Sequence, residues 1–276
     1  MSALYLVSTP IGYLEDITLR ALKILGEVDL IAAEDTRTAR QLLSAHGLHG
    51  RLLSFHQGNQ RARLPQLLGA LGEGKDVALV SEAGTPGISD PGYELVAAAL
   101  EKGIPIVPIP GPSAVLSALS VSGLPTNQFL YLGFLPRRKG ERRKLLSSLA
   151  EEGRTLVAFE APHRLRDSLT DILETLGDRR IAVCRELTKL HEEVFRGRVS
   201  QALEHFQQPR GECTLVIEGR EKEKTLPGLS PKLTAEMRRL KKKGLPAREA
   251  LSQLAQATGL PRRELYRAWL KLGQVL

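Results

Sequence analysis

Val77-Ala78-Leu79-Val80-Ser81-Glu82-Ala83-Gly84-Thr85-Pro86-Gly87-Ile88-Ser89-Asp90-Pro91-Gly92 runs from a short apolar segment into three glycines, two prolines and small hydroxyl residues. The apolar run has the length of a buried strand. Asp90 followed by Pro91 reads as a helix start, because Asp can accept free amides and Pro fits the first turn. The helix is expected from Tyr93 to about Leu100, with a stop at Gly103. A glycine-bearing loop between strand and helix lets a ligand approach bare backbone. The pattern then recurs, with Pro105–Ile109 as a strand and Pro110-Gly111-Pro112-Ser113-Ala114 as a tight loop that opens a helix. Either loop alone fits an ordinary crossover turn. Two of them, side by side at one edge of a parallel sheet, predict a ligand cradle.

Outward from this stretch, strands are expected at Leu4–Ser8, Leu30–Ala33 and Leu52–Phe55, with helices at Thr18–Leu25, Thr36–Ala45 and Arg61–Leu71. Such alternation makes a mostly parallel sheet covered on both faces. A boundary is expected near Gly123-Leu124-Pro125-Thr126-Asn127. Beyond it Phe129–Gly133, Thr155–Phe159, Ile181–Arg185, Glu193–Arg196 and Cys213–Glu218 read as strands, the last three as antiparallel additions to a mixed sheet. Thr225-Leu226-Pro227-Gly228-Leu229-Ser230-Pro231 reads as a linker. After it come a cationic helix over Lys232–Lys243 and two shorter helices joined at Gly259, the outline of a helix-turn-helix. Its apolar stripe is Ala250, Leu251, Leu254, Leu260, Leu265 and Leu270. The expected fold is therefore α/β in two domains, 1–123 and 124–222, followed by a small all-α domain at 228–276.

The 276 residues are 42% hydrophobic and 25% charged, which is ordinary for a soluble globular protein. No apolar run approaches a membrane span, so no membrane partner is expected. The first residues enter a strand pattern directly, without the charged-then-apolar order of a signal peptide. Cys184 and Cys213 stand alone in separate strands, neither a zinc set nor a disulfide framework, and a reducing cytoplasm is the expected setting. The net charge of +8 is localised: residues 221–276 hold thirteen Lys and Arg against five Glu, while the preceding 220 residues balance. A basic appendage on a neutral body suits an anionic polymer; the plainer alternative is a solubilising tail. Arg262 and Arg263 at the head of the last helix, and Arg267 a turn later, are the candidate phosphate contacts. One Trp, five Tyr and six Phe are too few for a broad stacking platform.

Other cofactor patterns are missing. There is no Gly-x-x-x-x-Gly-Lys-Ser/Thr loop and no Gly-x-Gly-x-x-Gly after the first strand. His191 with Glu192 and Glu193 reads as a solvated charge cluster, and His163 after Pro162 as a helix-capping residue, so no metal is expected.

With Thr9-Pro10-Ile11-Gly12, the two loops resemble the tetrapyrrole-methylase superfamily of S-adenosylmethionine-dependent methyltransferases, in particular its branch acting on ribosomal RNA of the small subunit. Matching segments are Ser8–Asp16, Ala33–Thr38, Ser81–Tyr93, Pro110–Ala114, Gly133–Arg143, Glu160–Arg164, Arg185–Glu193 and Gly211–Gly219, while Tyr13, Glu82 and Gly87 depart from the pattern. The resemblance implies the class III methyltransferase fold, with the donor S-adenosylmethionine in a cleft between two α/β domains. It implies that Pro10, Ser81, Glu82, Ala83, Gly84, Thr85, Pro110, Ser113, Ala114, Phe159, Glu160, Leu215, Val216 and Ile217 line that cleft. It also implies a homodimer that methylates the 2′-oxygen of a cytidine in the decoding region of 16S ribosomal RNA. A ribose hydroxyl is a poor nucleophile, so a proton acceptor should assist. Glu160, Asp35 and Glu186 are the candidates, each beside an Arg or Lys and each equally readable as a loop-fixing ion pair. Arg37 and Lys189 are further candidates for RNA phosphates. Two rival readings are a small-molecule tetrapyrrole methylase and a nucleic-acid-binding regulator.

Overall fold

The computed structural model describes residues 2–220 and 230–272, so Thr225–Leu229 of the expected linker lie outside the described residues. β1 (Leu4–Val7), β2 (Leu30–Ala33), β3 (Leu52–Ser54), β4 (Val77–Val80) and β5 (Ile106–Ile109) form an all-parallel sheet in the order β3-β2-β4-β1-β5. α1 (Leu19–Glu27), α2 (Thr36–Ala45), α3 (Gln60–Gly72) and α4 (Tyr93–Glu101) cover it. Strand alternation divides the core: Val77 and Leu79 pack with Leu67, Leu71 and Leu95 of α3 and α4, while Ala78 and Val80 pack with Ala21, Leu25, Leu42 and Leu43 of α1 and α2. α1 starts at Thr18, whose hydroxyl accepts the Ala21 amide, and α2 at Asp35, whose carboxylate accepts the Arg37 amide.

Two expectations change here. The loops after β4 and β5 are not on neighbouring strands, because β1 lies between them. Asp90 does not cap α4; the cap position is Gly92, at φ +151°, and no side chain bonds there. A Cβ on Gly92 would sit 2.9 Å from Leu79 Cδ2, so both the backbone angle and the space demand glycine. The turn after α4 closes at Gly103 as expected.

The second sheet is mixed. β6 (Phe129–Phe134), β7 (Thr155–Glu160), β8 (Arg180–Arg185), β9 (Glu193–Arg198) and β10 (Cys213–Ile217) stand in the order β6-β7-β10-β8-β9, with only β6 and β7 parallel. α5 (Ala114–Val121) packs Val115, Ala118 and Leu119 on one face, against Val157, Ala182, Cys184 and Val216. α6 (Lys139–Ser148), α7 (Leu165–Leu176) and α8 (Val199–His205) cover the other, against Leu156, Ala158, Leu215 and Ile217. The expected break near Gly123 thus falls after α5, whereas the packing changes sheet before it. Residues 1–220 cluster as one unit and 221–276 as another.

In the second unit α9 (Pro231–Lys242), α10 (Ala247–Thr258) and α11 (Arg262–Lys271) share one core: Leu233, Met237 and Leu240 join Leu251, Leu254, Leu265 and Trp269. The cationic helix is therefore a third member of the bundle. Gly259, at φ +69°, ends α10. Leu270 faces solvent and does not belong to the stripe. No helix among the described residues is long and apolar enough to cross a membrane.

Candidate functional site

Three loops meet at the carboxyl ends of β1, β4 and β5, where open α/β sheets bind ligands. Thr9 donates its amide to the Gly84 carbonyl (2.9 Å) and accepts the Gly84 amide at its own carbonyl (3.0 Å). Ser8 Oγ lies 3.1 Å from Thr85 Oγ1, and Thr85 Oγ1 donates to the Pro112 carbonyl at 3.4 Å. A Cβ on Gly111 would stand 3.0 Å from Ser8 Cβ, so the third loop leans directly on the first. Pro10 and Ser81 are buried, Ala83, Thr85, Ser113 and Ala114 are half-buried, and Glu82 and Pro110 are exposed. These residues, with Gly84, all lie on the three loops that follow β1, β4 and β5.

The second sheet closes one side. The Tyr13 amide donates to Thr188 Oγ1 (3.0 Å), and Ser89 Oγ lies 2.5 Å from the Tyr131 hydroxyl. Ser89 holds φ +69°, a conformation that a non-glycine residue keeps only when its surroundings enforce it. Tyr131 and Phe134 each meet Phe159 edge-on at 5.4 Å between ring centroids. Phe159 is thus held between the rings of Tyr131 and Phe134.

Next to Ser89 is the residue that sequence reasoning misplaced. Burial pushes the Asp90 carboxyl up to about 7, helped by the charges of Glu34 and Glu82, while a hydrogen bond from Ser81 partly opposes the rise. A carboxylate poised near neutrality inside a cleft is a candidate acid or base. The sequence signal was its setting among Gly87, Ser89 and Gly92, a loop too constrained for a simple cap.

The proposed bases fare differently. Glu160 is 1% exposed and, by strand alternation, points to the α7 face, opposite Phe159. Its carboxylate accepts from Ser168 and from the Ala161 amide (2.8 Å) and pairs with Arg164 at 2.5 Å. It fixes the β7–α7 corner, which corrects the expectation of a catalytic or donor-lining role. Asp35 caps α2 and pairs with Arg37 at 2.8 Å, and the Arg37 hydrogen bonds hold its carboxyl down at about 2. Held so far below the usual range, it is a poorer proton acceptor than a carboxylate near neutrality. Glu186 is partly buried, which raises its pKa, but the Glu212 amide and Lys189 outweigh burial and hold it below the usual range. Lys189 lies 3.1 Å from Glu186 and 3.0 Å from Glu212, so its charge is already answered within the protein. Leu215, Val216 and Ile217 are 0% exposed in β10, the central strand, with ladders on both sides. They are core and offer a ligand no surface. Arg37, Arg262, Arg263 and Arg267 are exposed, Arg262 also donating to Ser252.

A parallel α/β half, a mixed-sheet half and loops presented at the strand ends define a methyltransferase architecture shared by solved structures. Uroporphyrin-III C-methyltransferase from Thermus thermophilus matches 79% of this chain and 94% of its own at a TM-score of 0.56 and 24% identity. The cobalt precorrin-4 methyltransferase CbiF matches at 0.59 and 18% identity, covering 78% and 94%. A profile of the Tetrapyrrole (Corrin/Porphyrin) Methylases matches residues 3–203, and the chain belongs to that family. Among its relatives, proteins called ribosomal RNA small subunit methyltransferase I are 53% identical over 223 residues in Thermotoga maritima (80% of this chain, 100% of that protein) and 48% identical over 275 in Synechocystis (99% of each). In Escherichia coli O157:H7 the identity is 44% over 270 residues, covering 96% and 93%.

The family draws its methyl group from S-adenosylmethionine. The residues present fit such a donor. The loops carrying Gly84 and Gly111 stand at the strand ends, Phe159, Tyr131 and Phe134 supply aromatic rings beside them, and exposed Glu82 supplies a carboxylate suited to a sulfonium.

Proposed function

We propose that this chain uses S-adenosylmethionine to methylate the 2′-oxygen of a cytidine ribose in the decoding region of 16S ribosomal RNA. The observation that carries the reading is the 48% identity, along 99% of both chains, with a relative named for methylating small-subunit ribosomal RNA. The bound donor supplies an electrophilic methyl carbon. What the protein must add is alignment, worth roughly 7–11 kcal/mol of barrier, and a proton acceptor for the sugar hydroxyl. The first task falls to the loops Thr9–Tyr13, Ser81–Thr85 and Pro110–Ala114, braced on one another and on Thr188 and Tyr131. The second falls to Asp90, whose affinity for a proton near neutrality matches the need better than Asp35 or Glu186.

Arg263 and Arg267 lie on one face of α11, four residues apart, with Arg262 beside them, and act as sequence-independent phosphate contacts. We take the enzyme to work as a homodimer in the cytoplasm. Purified small subunits incubated with labelled donor test the reading: label in the ribose of one RNA nucleotide is expected. Label in a porphyrinoid alone, or donor uptake without turnover, overturns it.

A further inference from the structure

On the α6–α7 side of the second sheet, a cavity of about 220 Å³ is lined by Arg137, Lys139, Arg142, Arg164, Asp167, Thr170 and Asp171. Two of its cations are built into the wall. The Arg142 side chain is 4% exposed and meets Asp171, itself 1% exposed, at 2.6 Å, while its Nη1 donates to the Pro136 and Arg137 carbonyls. Arg164 is held by Glu160 at 2.5 Å and by the Leu135 carbonyl at 3.1 Å. The other two are exposed, and neither the Arg137 nor the Lys139 side chain makes an ion pair or hydrogen bond among the described residues. Against them stands Asp167, whose carboxylate makes no ion pair or hydrogen bond among the described residues. The wall cations are thus already paired, the rim is exposed and positive, and the cavity has room for a group with several acceptor oxygens. A guanidinium beside an ammonium suits a phosphate.

We propose that this cavity docks a backbone phosphate of the substrate RNA. That the polymer is RNA rests on the function proposed above; the phosphate chemistry rests on the cavity alone. Arg137 follows by three residues on Phe134, which is 58% exposed and packed on Phe159. A strand seated against the aromatic wall therefore meets the cationic rim next.

The test uses the full chain and three variants: R137A/K139A, the charge-preserving R137K/K139R, and Asp167→Asn. Binding of a short labelled oligoribonucleotide is followed by anisotropy across a salt series, S-adenosylmethionine uptake by calorimetry, and inorganic phosphate by its effect on Tm. R137A/K139A should bind RNA several-fold more weakly and lower the salt slope by about 0.7–1, the effect of one lost phosphate contact. R137K/K139R should restore most of the slope, Asp167→Asn should bind RNA more tightly than wild type, and donor uptake should match throughout. Unchanged RNA affinity and slope in R137A/K139A overturns the proposal; if phosphate still raises Tm only in wild type, the cavity takes a free anion instead. A wild-type enzyme that places no label in small-subunit RNA, yet loses slope in R137A/K139A, sinks the methylation reading and leaves this one standing.

Discussion

Replacing Asp90 by Asn keeps the shape of the loop and removes a titration. Burial and the neighbouring Glu34 push the carboxyl from 3.8 to about 7. In the unfolded chain it ionises near pH 4. Three pKa units correspond to about 4 kcal/mol, and because part of the group faces water we take about half, ~2 kcal/mol. The sign follows from the raised value: the native state binds the extra proton, so this contribution is complete below about pH 4 and is lost as pH rises toward 7. Asn has no such loss. The variant should match wild type near pH 4 and exceed it by ~2 kcal/mol at about pH 8, roughly 4–8 °C in Tm for a unit of this size. Calorimetric melts from acid to mild alkali read this difference, and one that does not change with pH refutes the reasoning. The same variant should take up donor normally and transfer methyl to RNA about 100-fold more slowly or worse, since a general base contributes at least that much.

Glu160→Gln should lower stability by weakening a buried pair with Arg164 while leaving the single-turnover rate of folded enzyme unchanged; a fall in rate at full donor occupancy would restore it as a base. Asp171→Ala strands Arg142 and should cost about 3–5 kcal/mol, whereas Arg143→Ala, at a position 37% exposed, should cost far less in the same denaturant titration. Leu215→Ala should cost about 2–5 kcal/mol through an internal cavity with donor affinity intact, and selective loss of donor binding would contradict its core assignment. Removing residues 221–276 should flatten the salt dependence of RNA binding and leave donor uptake as it was.

What could be read in the chain, and what could not, divides along a physical line. Val77–Val80 and Leu30–Ala33 are apolar throughout, so strands buried on both faces were legible from hydrophobicity alone. Strand neighbours were not, because β1 acquires its partners through pairing at Leu4↔Val77 and Leu4↔Ile106, far apart in the sequence. Parity along Thr155–Glu160 already separated Phe159 from Glu160, yet only the placement of α5 and α7 says which face is which. Cys213–Ile217 looked like a strand and is one; its central position, which withdraws Leu215–Ile217 from any ligand, comes from tertiary pairing. Asp90 read as a cap because its neighbours in sequence allow one, whereas its burial beside Glu34 depends on residues over fifty positions away.

The position of β1 also governs how the chain can be made. Leu4–Val7 is the fourth strand across a sheet whose flanking strands end at Val80 and Ile109. A ribosome adding about 5–20 residues per second delivers the first of those partners about 4–15 s, and the second about 5–20 s, after β1 emerges. Until then the apolar strand β1 lacks first both neighbours and then one, so the sheet closes only when the fifth strand arrives.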